Sequence, residues 1–417
     1  MKILYLCADL GIPVLGRKGA SVHVRELVAA LGRAGHQVVL AAPTLNKSPW
    51  EPPARLDSPL WHITPGPAAV AAVAALKEFN ARLGVENSLP GELRRILLNR
   101  ELETELKRRL EAEPPDFIYE RASLYSIAGV SLAREFQVPL LLELNAPLAL
   151  EQEAYRATAI EPLAAQTERW VLSRADAVLV VSSELREHAA AAGVKPERIH
   201  LLPNAVSPAL FYPAPADAAL RARWKLDGGP VIGFVGGLRP WHGVEVLPEL
   251  LERILPAHPG VRLVVAGDGP LRGDLERSLE QRGLRARAVI TGLLPHEEIP
   301  ALIRQFDIAV APYPRPGHAF YFSPLKLFEY MACGIAVVAP ELGQISELVR
   351  HGGTGWLYPP GDLKALAGAC VQLLADATLR RNLGQAAAKF IHNGFTWDQN
   401  AARVVQLACA LIRTPGA

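Results

Sequence analysis

Several features that would point to common classes of protein are missing from this chain. Only four of its 417 residues are cysteine, and they form no C-x-x-C pair, so we expect neither a disulfide framework nor a thiolate metal site. Basic and acidic residues nearly cancel, giving a formal charge of +2, which disfavours a nucleic-acid partner. No segment approaches the ~20 apolar residues of a membrane span, and the first apolar run is too short for a signal peptide. We therefore expect a cytoplasmic protein.

Signature motifs of several enzyme classes are absent as well. The sequence contains no P-loop, no H-E-x-x-H motif and no G-x-S-x-G nucleophile elbow. It lacks the G-x-G-x-x-G fingerprint with its spaced acidic residue, which disfavours a nicotinamide dehydrogenase. It also has no D-x-D pair of the kind that typically holds a divalent cation in metal-dependent nucleotide-sugar enzymes. We expect no metal site and no cofactor.

Hydrophobic residues make up 50% of the chain, and their pattern repeats in two halves. In each half, short apolar runs typical of buried strands alternate with amphipathic helices, which predicts a parallel sheet flanked by helices. We predict an α/β protein of two doubly wound, Rossmann-like domains facing each other across a cleft, with ligands at the carboxyl ends of the strands. The predicted boundaries are 1–205 and 230–394 for the domains, 206–229 for a Pro- and Ala-rich linker, and 395–417 for a final helix.

The most informative segment spans residues 319–334, where Ser323-Pro324 precedes an apolar helix that carries Lys326 and Glu329. Serine is a preferred N-cap and proline is favoured at the first helical position, so we predict that a helix begins here. Residues three apart share a helix face, so one ligand could place an anion at the helix start and hydroxyls one turn later. A nucleotide-sugar has both groups. A capped surface helix with an i,i+3 ion pair explains the pattern equally well.

Glycine-containing turns follow two strands of the second half. Glycine allows close backbone approach to a phosphate, and nearby cationic side chains can reach it. Such a turn alone is weak evidence, since glycine there usually gives only steric relief. The members of these turns that we expect near a phosphate are Gly236, Gly237, Arg239, His242 and Gly267. If a diphosphate leaves in this region, protein cations and helix N-termini must stabilise its charge.

The ordered combination of these motifs resembles the retaining GT-B glycosyltransferases of family 4. The segments that carry the resemblance are 19–23, 35–36, 203–206, 236–243, 266–270, 291–292, 329–339 and 347–357. They cover nearly the whole chain. The resemblance implies that the first domain binds the acceptor and the second the nucleotide-sugar donor, and that the final helix crosses back to the first domain.

The resemblance also implies roles for particular residues. Glu329 should accept hydrogen bonds from the nucleotide ribose, and the backbone N–H groups of Leu325 and Lys326 should hold the diphosphate. His23 should lie in the first domain's wall of the cleft and orient the acceptor or contact the sugar, unless it only caps nearby loops. The implied donor-binding set is Gly19, Gly236, Gly237, Arg239, His242, Gly267, Ser323, Pro324, Leu325, Lys326 and Glu329.

Three departures from the family pattern bear on the chemistry. Gly237 and His242 stand where the family usually has an arginine and a lysine that neutralise the diphosphate, and we expect Arg239 and Lys326 to replace them. Tyr321 stands where a carboxylate normally touches sugar hydroxyls, so the donor sugar cannot be inherited from the resemblance.

The third departure lies on the acceptor side, where Asn145 replaces the usual histidine. Glu151 and Tyr155 nearby, together with His23 and Asn145, are the acceptor-binding candidates. Trp50 and Trp61 suggest an apolar acceptor such as a lipid carrier, although an ordinary core explains them equally well.

The activity implied by the resemblance is transfer of a hexosyl group from a nucleoside-diphosphate sugar to an acceptor hydroxyl, with retention and without a metal. His23, Arg239 and Lys326 are the expected catalytic residues. A nucleotide-sugar epimerase or hydrolase of the same fold is one alternative, and a degenerate protein that only binds nucleotide is another. We expect a cytoplasmic enzyme, with peripheral contact at the inner membrane if its acceptor is lipid-linked.

Overall fold

The computed structural model describes residues 1–46, 53–156 and 158–413, with the backbone alone for residues 154–156. The chain divides into two compact α/β units. One comprises Met1–Pro203 and Trp397–Ala417, and the other Asn204–Thr396. The α/β prediction of two parallel-sheet domains is confirmed.

The first unit contains a sheet of seven parallel strands in the order β3-β2-β1-β4-β5-β6-β7. Its strands are apolar almost throughout, as a parallel sheet covered on both faces requires. The strands are β1 (Lys2–Cys7), β2 (Gln37–Ala42), β3 (Leu60–His62), β4 (Phe117–Arg121), β5 (Leu140–Leu144), β6 (Ala177–Val180) and β7 (Ile199–Leu201). The helices are α1 (Gly19–Arg33), α2 (Pro67–Leu83), α3 (Leu89–Leu110), α4 (Ala128–Phe136), α5 (Leu148–Arg156), α6 (Glu161–Leu172) and α7 (Ser183–Ala191).

The second unit contains a sheet of six parallel strands in the order β10-β9-β8-β11-β12-β13. The strands are β8 (Val231–Val235), β9 (Arg262–Ala266), β10 (Ala288–Gly292), β11 (Ile308–Val310), β12 (Ala336–Pro340) and β13 (Trp356–Tyr358). The helices are α8 (Ala218–Arg223), α9 (Leu247–Ile254), α10 (Arg272–Gln281), α11 (Ile299–Ile303), α12 (Leu325–Ala332), α13 (Gly343–Leu348), α14 (Leu363–Ala375) and α15 (Ala377–Gly394). The last helix, α16 (Trp397–Arg413), belongs to the first unit.

Helix α1 shows how the predicted apolar spacing translates into packing. Val24, Leu27 and Leu31 are fully buried, as their recurrence on one helical face predicts. The same helix packs against α16, where Arg33 donates two hydrogen bonds to Asp398, at 2.7 and 3.0 Å. The final helix is therefore an integral layer of the first unit.

The stretch predicted as a linker, residues 206–229, is instead part of the second unit. Phe211 and Leu226 are buried in its core, and α8 lies between them in the sequence. Proline and alanine dominate the composition of this stretch, but a few large apolar residues are enough to anchor it. Further along the second unit, a 3₁₀ turn, Val244–Val246, precedes α9, and Gly243 immediately before it adopts a left-handed φ of 68°.

Candidate functional site

The strand order of the second unit fixes where a ligand can bind. Moving outward from β8, the chain first proceeds to β9 and β10 on one side and then crosses to β11 on the other. Ligands of doubly wound sheets bind outside the carboxyl ends of the strands at this point of reversal. The segments that follow β8 and β11, together with the start of α12, supply the side chains at this switch point.

Two glycines bring the loops after β8 and β9 into direct contact. Gly236 and Gly267 have φ angles of 145° and 146°, which side-chain-bearing residues rarely adopt. The Gly236 N–H donates to the carbonyl of Ala266 at 2.8 Å, and a Cβ added to Gly267 would overlap the carbonyl of Gly236. Both glycines are thus required by the backbone itself, and the steric role weighed from the sequence is present whether or not they also face a phosphate.

Lys326 is buried at the switch point. Its Nζ atom lies 4.2 Å from the ring centroid of Phe234 and 5.2 Å from that of Tyr313. Nζ has no hydrogen-bond partner within the described ranges. A Cβ on Gly236 would lie 2.7 Å from Nζ, so the glycine also makes room for the ammonium. Burial lowers the pKa of Lys326 to about 7, because an ammonium without a counter-ion is costly away from water.

His242 does not provide a second cation. Its Nδ1 is 2.5 Å from the carbonyl oxygen of Gly237, which can only accept, so Nδ1 carries the proton and donates it. Burial, with the nearby charge of Lys326, lowers the pKa of His242 to about 3. The imidazole is therefore neutral at physiological pH and cannot replace a lysine as a neutralising charge.

Arg239 is the exposed cation of the same loop. Its guanidinium lies 5.6 Å from the ring centroid of Trp241, which is itself 41% exposed. Its side chain forms no ion pair in the part of the chain that the structure describes. Arg239 can therefore move toward an anion, whereas Lys326 is already fixed.

The start of α12 differs from the prediction. The helix begins at Leu325 with Pro324 as its N-cap, and Ser323 does not cap it. Instead the Ser323 hydroxyl accepts from the N–H of Asn204 at 3.0 Å, and its carbonyl accepts from the Asn204 amide at 2.5 Å. Because its N-cap residue, Pro324, makes no side-chain hydrogen bond to the helix, the first N–H groups of α12 are placed to bind an anion at the helix start.

Glu329 is buried one turn further along α12. Its Oε1 lies 3.1 Å from Nε2 of His296, and it forms no ion pair with Lys326. The surface ion pair that the i,i+3 spacing also allowed is therefore absent. His296 and Glu329 are 33 residues apart, so no pattern in the sequence indicates their contact.

Aromatic residues surround the position where a sugar-reading carboxylate was expected. The ring of Tyr321 stacks on His318 at a centroid distance of 5.3 Å and contacts Phe322 at 4.5 Å. Phe320 packs between Tyr313 and Phe322. This corner of the unit presents rings in place of a carboxylate.

In the first unit, His23 is 5% exposed and anchored by Glu143. Its Nε2 lies 2.9 Å from Glu143, and its ring meets Trp397 edge-on at 4.9 Å. Arg121 donates to the same carboxylate at 2.7 Å, and the Tyr119 hydroxyl donates as well. Burial opposes ionisation of Glu143, but His23 and Arg121 outweigh it and hold the pKa well below its usual range.

The remaining first-unit candidates are spread around this cluster. Asn145 is half-buried and donates its amide to Glu143. Glu151 is half-buried on α5, while the Tyr155 side chain and all of Trp50 lie outside the described residues. Gly19 is the exposed first residue of α1, and a Cβ there would meet nothing within 4 Å, so packing does not require glycine.

Two searches for other kinds of site are negative within the described ranges. No three or more His, Cys, Asp or Glu side chains gather where they could hold a metal ion. None of the helices described is long and apolar enough to cross a bilayer.

Comparison with known families identifies both halves of the chain. The family model "Glycosyl transferases group 1" matches residues 229–376, and the model "Glycosyl transferase 4-like domain" matches residues 18–205. Together these matches span most of both units.

Individual relatives extend the comparison. An alpha-D-kanosaminyltransferase of Streptomyces kanamyceticus is 32% identical over 267 residues, which is 62% of this chain and 67% of the relative. A glycogen synthase of Mycobacterium tuberculosis is 26% identical over 419 residues, covering 99% of this chain and 95% of the relative. The solved sucrose-phosphate synthase of Thermosynechococcus elongatus has a TM-score of 0.72 and 22% identity, with 99% and 100% coverage, and at that identity it shows a shared fold.

Proposed function

Because the chain belongs to the group 1 glycosyltransferases of the GT-B fold, which use nucleotide sugars, we propose that it moves a hexosyl group from a nucleoside-diphosphate sugar to an acceptor hydroxyl. We further propose that the anomeric configuration is retained and that no metal ion takes part. The proposal rests chiefly on the buried, unpartnered ammonium of Lys326 at the switch point of the second unit.

The donor binds along α12 in this account. The diphosphate takes the N–H groups at the uncapped helix start and the ammonium of Lys326, and the ribose hydroxyls donate to Glu329 one turn later. A buried charge without a partner is strongly unfavourable, so an anionic ligand that pairs with Lys326 gains from relieving it. A nucleoside-diphosphate sugar carries the anion and the hydroxyls at this spacing.

Lys326 and Arg239 stabilise the negative charge of the departing diphosphate. His242 is neutral and Gly237 has no side chain, so neither of the two positions where the family pattern has a cation supplies one here. The Lys326 ammonium is buried beside Gly236, and Arg239 lies exposed on the same loop, from which it can move toward the anion. Preorganised charge of this kind is usually the largest single contribution to catalysis.

The retaining chemistry that we propose uses no nucleophile from the protein, and the contacts of two nearby carboxylates support this. Glu329 is held by His296, and Asp268 is paired with Arg272 at 3.0 Å, so neither is placed as a nucleophile. We propose that the bond between the sugar and the phosphate breaks as the acceptor oxygen attacks the same face, and that the acceptor proton passes to the leaving phosphate. Positioning and charge then supply most of the rate enhancement.

The acceptor is assigned to the first unit. His23, buried against Glu143, acts on this site by fixing the carboxylate that holds Asn145, while Glu151 and Tyr155 remain candidate contacts. The names of the two relatives, a kanosaminyltransferase and a glycogen synthase, denote different products, so they do not select one acceptor.

Contact with the cytoplasmic face of the inner membrane is part of the proposal only for a lipid-linked acceptor. Large apolar side chains on and just after α2 are more than 40% exposed, namely Val70, Phe79, Leu83 and Val85. Flotation with lipid vesicles tests this contact directly, and a protein that stays with the unbound fraction would remove it.

A protein that binds nucleotide without turnover is the second candidate, favoured by the neutral His242 and by Gly237. One experiment separates the two. Nucleoside-diphosphate sugars that raise the unfolding temperature identify the donor, and release of the nucleoside diphosphate is then followed with candidate acceptors, with and without a metal chelator. Glycoside formation that survives the chelator supports transfer, whereas binding without turnover supports the second candidate and release of free sugar indicates a hydrolase.

A further inference from the structure

Two opposite charges on α12 are kept apart. Lys326 and Glu329 lie three residues apart and are both buried, and such residues normally meet on a helix face. In this structure the Lys326 ammonium packs on the rings of Phe234 and Tyr313 instead. The Glu329 carboxylate points to another partner, so each charge remains available for a ligand.

That partner is His296, whose ring is fixed by its surroundings. His296 opens the 3₁₀ turn His296–Glu298, which follows β10 and leads into α11. Its side chain is 14% exposed, and its ring lies 5.3 Å from that of Phe211, which is fully buried. Nε2 lies 3.1 Å from Oε1 of Glu329 and donates to it.

His296 engages the Glu329 carboxylate through one oxygen, Oε1. A carboxylate can accept about four hydrogen bonds, and His296 takes one of them. The arrangement therefore holds the carboxylate at one oxygen and offers the other to a pair of donors, such as vicinal hydroxyls.

We propose that His296 is a positioning residue of the donor site: it holds the Glu329 carboxylate toward the ribose hydroxyls and away from Lys326. This inference rests on the proposed function, since it needs a nucleotide whose ribose meets Glu329. Without His296, the Glu329 side chain is released to other rotamers, and its nearest cation on the helix is Lys326. Pairing between them would withdraw the carboxylate from the ribose and the ammonium from the diphosphate together.

Calorimetric binding of nucleotides with and without ribose hydroxyls tests the inference. The probes are UDP, GDP and ADP, each against its 2′,3′-dideoxy counterpart. Hydrogen bonds to a charged group predict that the wild type prefers the ribonucleotide by on the order of tenfold or more. His296→Ala should bind both forms within about threefold of each other, and His296→Gln, whose amide can donate to Glu329, should keep most of the preference.

Two further variants make the comparison specific. His258 donates to the carbonyl of Val371 at 3.1 Å in the same unit, so His258→Ala removes a similar hydrogen bond elsewhere and should leave the preference unchanged. His296→Asn, whose shorter side chain ends before Glu329, replaces His296→Ala if that variant does not fold.

The outcomes distinguish the positioning role of His296 from the proposed function on which it rests. Full ribose preference in His296→Ala, or an equal loss of affinity for the ribo and dideoxy forms, overturns the positioning role while the donor site stands. Failure of the wild type to bind any of the three diphosphates removes the proposed function and this inference together. Loss of preference in His296→Ala with recovery in His296→Gln supports both.

Discussion

Replacing Lys326 with methionine should stabilise the empty protein and abolish its binding of nucleoside diphosphates. The pKa of Lys326 falls from 10.5 to about 7, because the buried ammonium has no counter-ion. Each unit corresponds to about 1.4 kcal/mol, so at pH 7 the lysine destabilises the empty fold by about 4 kcal/mol. Methionine has a similar length, carries no charge and can pack against Phe234 and Tyr313.

The size of this stabilisation depends on pH. Because the pKa is lower in the folded protein than in the unfolded chain, the lysine's cost is complete below pH 7 and disappears as the pH rises toward 10.5. The stability gained by Lys326→Met should therefore be largest near neutral pH and shrink in alkaline buffer.

Thermal unfolding with and without the cognate nucleoside diphosphate measures both effects. We expect a rise in Tm on the order of 10 °C for empty Lys326→Met at pH 7, and no further rise when nucleotide is added. Lys364→Met, at an exposed position of α14, is the matched control and should change neither quantity. A variant that is less stable than the wild type and still gains Tm on adding nucleotide would refute the reasoning.

Three other substitutions test the remaining parts of the account. Arg239→Ala should slow transfer on the order of 10²-fold in steady-state assays while leaving stability unchanged, because the guanidinium is exposed; a near-normal rate would remove Arg239 from the mechanism. His242→Gln should keep transfer within about threefold at pH 7, because the neutral ring serves only to donate to Gly237, and a loss as large as that of Arg239→Ala would contradict this. Glu143→Gln should lower the free energy of unfolding by about 3 kcal/mol in denaturant titrations, since it leaves Arg121 and His23 without their carboxylate. An unchanged denaturation midpoint would show that the cluster is not a buried ion network.

Much of the architecture could be predicted because periodic patterns are local. The apolar runs indicated β1, β2 and β4 to β12, and all of these strands are present, whereas β3 and β13 were not indicated. The α/β class and the family resemblance are confirmed. The prediction of a linker over residues 206–229 was wrong. A Pro-rich composition does not reveal that Phe211 and Leu226 pack into the core of the second unit.

The site was less predictable because its contacts join distant residues. Serine is a residue type that commonly caps helices. The Ser323 hydroxyl nevertheless accepts a hydrogen bond from the N–H of Asn204, 119 positions away. The spacing of Lys326 and Glu329 indicated one helix face correctly but not that His296 would separate them. The burial of His242 and its proximity to Lys326, which together lower the pKa of the imidazole, are likewise properties of the folded chain alone.

The most direct test of the account is the number of protons taken up when a nucleoside diphosphate binds. Beside the Lys326 ammonium, the pKa of His242 is lowered to about 3 and burial raises the pKa of Tyr313, so neither group changes its charge near pH 8, where Lys326 is largely neutral. Calorimetry at pH 8 in buffers of different ionisation enthalpy should give an uptake of nearly one proton per nucleotide bound, both for the wild type and for the Lys364→Met control. Binding without proton uptake would contradict the central claim that Lys326, which is buried and largely neutral at pH 8 in the empty protein, becomes the cation for the diphosphate.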